Sequence, residues 1–254
     1  MSGVSSKQSL PSWISRRSSG ILLHLTSLPG PHGIGSLGSE ARRFIDFINR
    51  AGFRFWQTCP VGPTGFGDSP YQVFSSSAGN PYLLDWDPLI ETGLVCEVDL
   101  SALRELPSSE VDYGILYHAF YPPARLAFSR FPEFREKLEL IYGKLETFHN
   151  EHASWLTPYA SFQALKHREN NKAWWEWPDS SKRPDSALMN ELKDSEEFGF
   201  HVFLQYLFWG QWKKLRAYAN DRNISLLGDL PIYEAPDSSE VWQRPDLFQV
   251  DADS

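Results

Sequence analysis

A chain of 254 residues that is 41% hydrophobic and 15% aromatic, with ten Trp, holds enough apolar material for a sizeable core and is not the composition of a disordered polymer. Its 32 acidic against 24 basic side chains give a formal charge of −8, and no run of more than two Lys or Arg occurs, so a nucleic-acid partner is not expected. Cys59 and Cys96 are the two cysteines and neither has a neighbouring His or Cys, so they make no metal spacing, and a reduced, cytoplasmic location fits best.

The first nineteen residues carry Lys7, Arg16 and Arg17, several Ser and no acid, without the apolar core of a secretory signal, and read as a disordered N-terminal tail, 1–19. Ile21 to Leu25 is a short apolar run between turn signals, the pattern of a strand buried on both faces. After the Pro29-Gly30-Pro31 turn, Ser39 is placed to cap a helix whose Phe44, Ile45, Phe47, Ile48 and Ala51 share a face and which Gly52 stops. Phe53 to Val61 reads as a second strand, so 20–61 forms a βαβ unit. From Gly62 to Asp194 lies a segment too long for a plain loop, with Gly and Pro clusters and helices expected over Phe134 to Phe148 and Ala153 to His167. The alternation resumes over 195–254 with a long helix, Ser195 to Ala219, a third strand, Ile224 to Leu227, and the exit Gly228-Asp229-Leu230-Pro231. No stretch of about eighteen apolar residues exists, so no membrane span is expected. Three strands cannot close an eight-stranded barrel, and no terminating helix or cap follows Asp251, so the chain is expected to be truncated.

Chemistry concentrates in Gly62 to Gln72, just after the second strand. Its glycines allow close backbone approach to a ligand, its prolines stiffen the loop, and Phe66 and Tyr71 offer flat faces beside Asp68, Ser69 and Gln72. A pyranose, with C–H groups on its faces and hydroxyls round its rim, needs that mixture. The alternative is a tight turn whose aromatics fill the core. Asp229 stands where barrel enzymes place functional carboxylates, with a turn cap as its alternative, while Asp237 before Ser238, Ser239 and Glu240 looks like a helix cap. Trp174, Trp175 and Trp177 could form an aromatic patch, but adjacent Trp side chains point different ways, so at least one is expected inside. His24 ends the first strand and could line the same face, although a lone His is more often structural. There is no phosphate loop, dinucleotide fingerprint, His-Glu-x-x-His or nucleophile elbow.

Gly20 to His24 with Thr26 to Pro31, Trp56-Gln57, Gly62 to Gly65, Gly67 to Gln72, Ala78 to Pro81, Gly228 to Tyr233, Ala235 to Ser238 and Val241-Trp242 occur in an order and spacing that resembles bacterial amylomaltases of glycoside hydrolase family 77. The resemblance runs from about Arg17 to the end. It implies an α/β fold, the N-terminal portion of a (β/α)8 TIM barrel, with a large, mainly helical insertion, 62–194, after the second strand. It also implies transfer of α-1,4-glucan segments, such as those of maltose and maltooligosaccharides, by a retaining mechanism without cofactor. Carried over, Tyr71 would stack near the sugar whose bond breaks, Asp68 and Ser69 would line that pocket, and Asp229 would be the Asp of the first conserved barrel region.

In a retaining mechanism one carboxylate attacks the anomeric carbon while a second carboxylic acid, about 5 Å away, protonates the leaving oxygen. The family carries these groups in Arg-x-Asp-His-Phe-Arg-Gly, Ala-Glu-Asp-Leu-Gly and Thr-His-Asp-Asn blocks, none of which occurs here. The catalytic carboxylates are therefore expected beyond Ser254, and the isolated chain is expected to be inactive and poorly soluble. A non-catalytic α-glucan-binding remnant is the alternative. Two departures from the family pattern stand out: Phe66 replaces a common Tyr, and Glu234 replaces an apolar residue, where an ionised carboxylate needs solvent or a partner.

Overall fold

The computed structural model describes residues 17–65 and 67–249. The expected tail lies outside the described residues except for Arg17 to Ser19, which are exposed and without regular structure. Strand β1 (Gly20–Leu22) is followed by helix α1 (Ser39–Arg50) and strand β2 (Phe55–Gln57). Helices α2 (Asp87–Thr92), α3 (Ser101–Arg104), α4 (Tyr113–Tyr142), α5 (Leu145–Arg168), α6 (Asp179–Lys182), α7 (Ser186–Lys193) and α8 (Glu196–Asp221) come next. Strand β3 (Ser225–Leu227) and helix α9 (Ser239–Gln243) complete the order.

The strands form a parallel sheet in the order β1-β2-β3, with Ile21 opposite Trp56 and Trp56 opposite Leu226. This is the parallel βαβ arrangement that the short apolar runs imply. The expectation of a first strand buried on both faces is corrected. Ile21 and Leu226 pack with buried Trp56 into the main core alongside residues of α1 and α8, whereas Leu22 points the other way and is 62% exposed. Successive strand residues face opposite sides, and among the described residues only one side of this sheet is covered.

In α1, Ala41, Ile45 and Ile48 are buried and Phe44 meets Trp56 edge-on at 4.9 Å, but Phe47 is largely exposed. The cap is Gly38, not Ser39, which is already helical; a Cβ at Gly38 would sit 2.8 Å from the Asp85 carboxyl, so any larger residue would have to displace that side chain. Gly52, at φ +83°, ends the helix as its sequence position suggests.

The helix expected over Phe134 to Phe148 is two helices meeting at Gly143 (φ +91°). Apolar periodicity continues across that glycine, which hides the break, but the chemistry there is explicit. Tyr206 donates to the Gly143 carbonyl at 2.6 Å, and the Glu139 carboxylate takes Arg135, Lys144 and the Leu145 amide, which hold its pKa down to about 2. The second expected helix, around Ala153 to His167, is the C-terminal part of α5.

Helix α8 begins where expected, with the Ser195 hydroxyl accepting from the Phe198 amide, and is buried on nearly every side by α4, α5 and the loops before α2. Two glutamines on it clamp those loops. Gln205 donates to the Gly79 carbonyl and accepts from the Gly79 amide, both at 2.8 Å, and Gln211 does the same with Asp85. A smaller core of Phe162, Leu165, Trp174, Trp177, Leu192, Val241 and Trp242 joins α5, α7 and α9. Among the described residues no helix is long and apolar enough to cross a membrane.

Candidate functional site

Residues 63–74 form a hairpin: the Phe74 amide donates to the Pro63 carbonyl and the Gly65 amide to the Gln72 carbonyl, each at 2.8 Å. The tip turns through Gly67 (φ +87°) and Asp68 (φ +55°), left-handed conformations suited to Gly and tolerated by Asp. Phe66 lies outside the described residues. The Ser69 hydroxyl accepts from the Tyr71 amide at 3.3 Å, which fixes the turn from which Tyr71 projects, 48% exposed.

A second arm leaves β3 as Gly228 to Asp237. The two arms meet where the Tyr71 hydroxyl donates to the Asp229 carboxylate at 2.9 Å. Chiefly because of that bond, with the Cys59 thiol nearby, the phenol is pushed up to about 12 and stays protonated. Between the arms runs an open cleft of about 590 Å³ lined by Ser69, Tyr71, Gln72 and Asp229 to Pro236. Ser69, Tyr71 and Asp229 are thus brought together.

Asp68 faces the other way, into an adjoining hollow, where burial raises its carboxyl pKa. His24 lines neither space; its Nδ1 is 3.0 Å from the Thr58 hydroxyl, and burial lowers its pKa, favouring the neutral ring. Trp174 and Trp177 are buried in the smaller core and Trp175 is 36% exposed, so at least one of the three Trp does pack inside. Glu234 meets the difficulty raised by its position. One of its carboxylate oxygens is buried without a hydrogen-bond partner, and burial, partly offset by a bond from Ser76, pushes its pKa up, with nearby Glu240 adding to the rise.

Asp237 is not the helix cap expected of it. Ser238 caps α9 through the Val241 amide, while Asp237 turns inward to Lys166 of α5, 2.6 Å away, and accepts from the Trp174 amide at 3.2 Å. The cap moves one residue because a buried ammonium claims the Asp237 carboxylate.

The adjoining hollow, about 840 Å³, was not legible as a site. It is lined by Tyr82, Tyr113, Tyr117, Tyr121, Arg125 and Glu197, among others. The signal was present in part: Tyr113, Tyr117 and Tyr121 recur every four residues and fall on one face of α4. Burial alone would raise Glu197, but bonds from His201 at 3.1 Å and Arg125 at 2.6 Å win and hold it at about 2. The Arg125 guanidinium also lies 3.7 Å over the Phe200 ring.

The family model described as 4-alpha-glucanotransferase, glycoside hydrolase family 77, matches residues 23–254. The chain belongs to glycoside hydrolase family 77. It is 45% identical over 242 residues to the 4-alpha-glucanotransferase of Thermus thermophilus, covering 92% of this chain and 46% of that protein, and 44% identical over 243 residues to that of Aquifex aeolicus, covering 93% and 47%. A family 77 structure, the amylomaltase from Streptococcus agalactiae in complex with acarbose, superposes with a TM-score of 0.86 at 39% identity over 94% of this chain and 48% of that one. The chain thus spans about half the length of the family 77 relatives it matches. The multi-block resemblance read from the sequence is borne out, and the fold is that of amylomaltase over the shared part: mostly helical, with a small parallel sheet.

Proposed function

We propose that this chain supplies the glucan-binding part of a 4-α-glucanotransferase, which moves a segment of an α-1,4-glucan to glucose or another glucan. The observation that carries the reading is the Tyr71–Asp229 contact across the cleft, which sets an exposed aromatic face beside a carboxylate and the Ser69 hydroxyl. A sugar ring can stack on that face while its rim hydroxyls bond the polar groups. Transfer rather than hydrolysis requires an acceptor sugar held in place with water excluded, and an aromatic cleft suits both. In the parent barrel, 20–61 is the first βαβ unit, 62–194 the inserted wall of the cleft and 195–254 the helix and third strand. Attack on the anomeric carbon and protonation of the leaving oxygen fall to a carboxylate pair in a segment outside these 254 residues.

The decisive assay incubates this chain, and a version extended through the missing carboxylate blocks, with maltotriose, following glucose and longer oligosaccharides. Both products are expected from the extended protein alone. If neither protein acts but both bind maltooligosaccharide, a non-catalytic glucan-binding protein is the better reading. Activity in the short chain would refute the placement of the catalytic pair.

A further inference from the structure

Lys166 is 4% exposed, an unusual place for an ammonium group, and the structure accounts for each of its three N–H bonds. They go to the Asp237 carboxylate at 2.6 Å, the Lys172 carbonyl at 2.8 Å and the Asn171 carbonyl at 3.2 Å. The carbonyls converge because the chain leaves α5 through two successive left-handed residues, Asn170 (φ +56°) and Asn171 (φ +59°). Asn is the non-glycine residue best able to sit there. The ammonium also lies 5.2 Å from the centre of the Phe74 ring.

Those contacts place one buried charge at the junction of both arms of the cleft. Phe74 belongs to the hairpin that carries Tyr71, and Asp237 closes the arm that begins at Asp229. Further bonds tie the junction together. The Ser239 amide donates to the Phe74 carbonyl at 2.9 Å, and the Trp174 indole donates to the Pro236 carbonyl at 2.7 Å. By contrast, the Tyr71–Asp229 bond, where the hairpin meets the start of the second arm just after β3, is exposed.

We infer that Lys166 is a positioning residue: its pairing with Asp237 holds the two arms in register, so that Tyr71 and Asp229 stay at bonding distance and the cleft keeps its width. The role rests on the glucan reading only for what the cleft binds. A purely hydrophobic junction could stabilise the fold equally well, but it would not fix the direction of either arm, whereas a buried charge with three directed acceptors does.

The test uses the chain itself, comparing Lys166→Met and Asp237→Asn with the unmodified protein by hydrogen exchange and by calorimetric titration with maltoheptaose. In Lys166→Met, the hydrogen-bonded amides of Gly65, Gln72 and Phe74 in the hairpin and of Ser239 at the foot of the other arm should exchange about tenfold faster or more while the centre of α4 keeps its protection, because opening is local. Maltoheptaose affinity should fall about tenfold. In a Tyr71→Phe background the same substitution should cost much less, since the two act through one contact. Should Lys166→Met fail to fold, Asp237→Asn, which keeps side-chain volume and an acceptor oxygen but removes the charge opposite the ammonium, gives the same comparison in milder form. Unchanged exchange in both arms of a folded variant overturns the positioning role even if glucan binds. If the unmodified chain takes up no maltoheptaose while the arms still loosen in the variant, the positioning role stands and the glucan reading falls.

Discussion

Glu234 sits on the arm that lines the cleft, and its carboxyl is left partly unsatisfied between Ser76 and Glu240. Its pKa is raised above the ordinary 4.5, so the folded state holds the proton more tightly than the unfolded chain does. The stabilising contribution is complete below the unfolded value and is lost as the pH rises through the folded one. At neutral pH the ionised group is therefore a net cost, discounted because the side chain is partly open to solvent. Glu234→Val is expected to stabilise the protein by about 1 kcal/mol at pH 8, or about 2–4 °C in melting temperature, with the gain shrinking toward pH 4. Thermal melts of both proteins across that range check the sign; a gain that persists undiminished at pH 4 would mean packing, not charge, was responsible. At this scale the anomaly came from the family resemblance, which implies an apolar residue where Glu234 stands, and not from any local pattern. The partner of Asp237 was not announced, since Lys166 is distant in sequence and a lone Lys in an amphipathic helix looks like any solvated charge.

Helix α8 works as a spine through paired amide clamps. Gly79 must lack a side chain, because a Cβ there would lie 2.0 Å from the Phe208 ring, and this close approach lets Gln205 satisfy both backbone groups of Gly79 at once. Gln205→Ala would bury an N–H and a C=O without partners, and a loss of about 3 kcal/mol is expected. Gln205→Glu should be about as damaging, since an ionised carboxylate can no longer donate to the carbonyl and is buried besides. Urea unfolding of the two variants measures this directly, and a loss below about 0.5 kcal/mol in both would show that the clamp contributes little net stability. Elements read well from the sequence where local chemistry punctuates them: Ser195 opens α8, Gly52 closes α1, and the short apolar runs became parallel strands. They read badly where tertiary bonds decide. At the α4–α5 break Gly143 is itself a stop signal that the apolar periodicity masks, and nothing local at Phe134 to Phe148 reveals that Tyr206 reaches its carbonyl from another helix.

Across the whole molecule the apolar surface is unevenly covered. One sheet face packs on the core, while Leu22 on the other is 62% exposed, and beyond β3 the arm displays Leu230 at 73%, Ile232 at 91% and Tyr233 at 84%. Among the described residues strands β1 and β3 are also the sheet's two edges, each with a side open to further pairing. Full burial of one such side chain is worth about 1.5–3 kcal/mol, so the cluster beyond β3 is enough to drive weak association of copies. Opposing it is the net charge of −8, whose repulsion acts over a Debye length of about 8–10 Å at moderate salt and fades as salt rises. The chain is therefore expected to self-associate with rising concentration, and more strongly in high salt, by sedimentation velocity. Leu230→Ser with Ile232→Ser should return it toward monomer. Neither residue is buried, so the double variant should keep its helical circular dichroism. If it sediments like the unmodified chain at every concentration, the adhesive surface lies elsewhere and the strand edges become the first place to look.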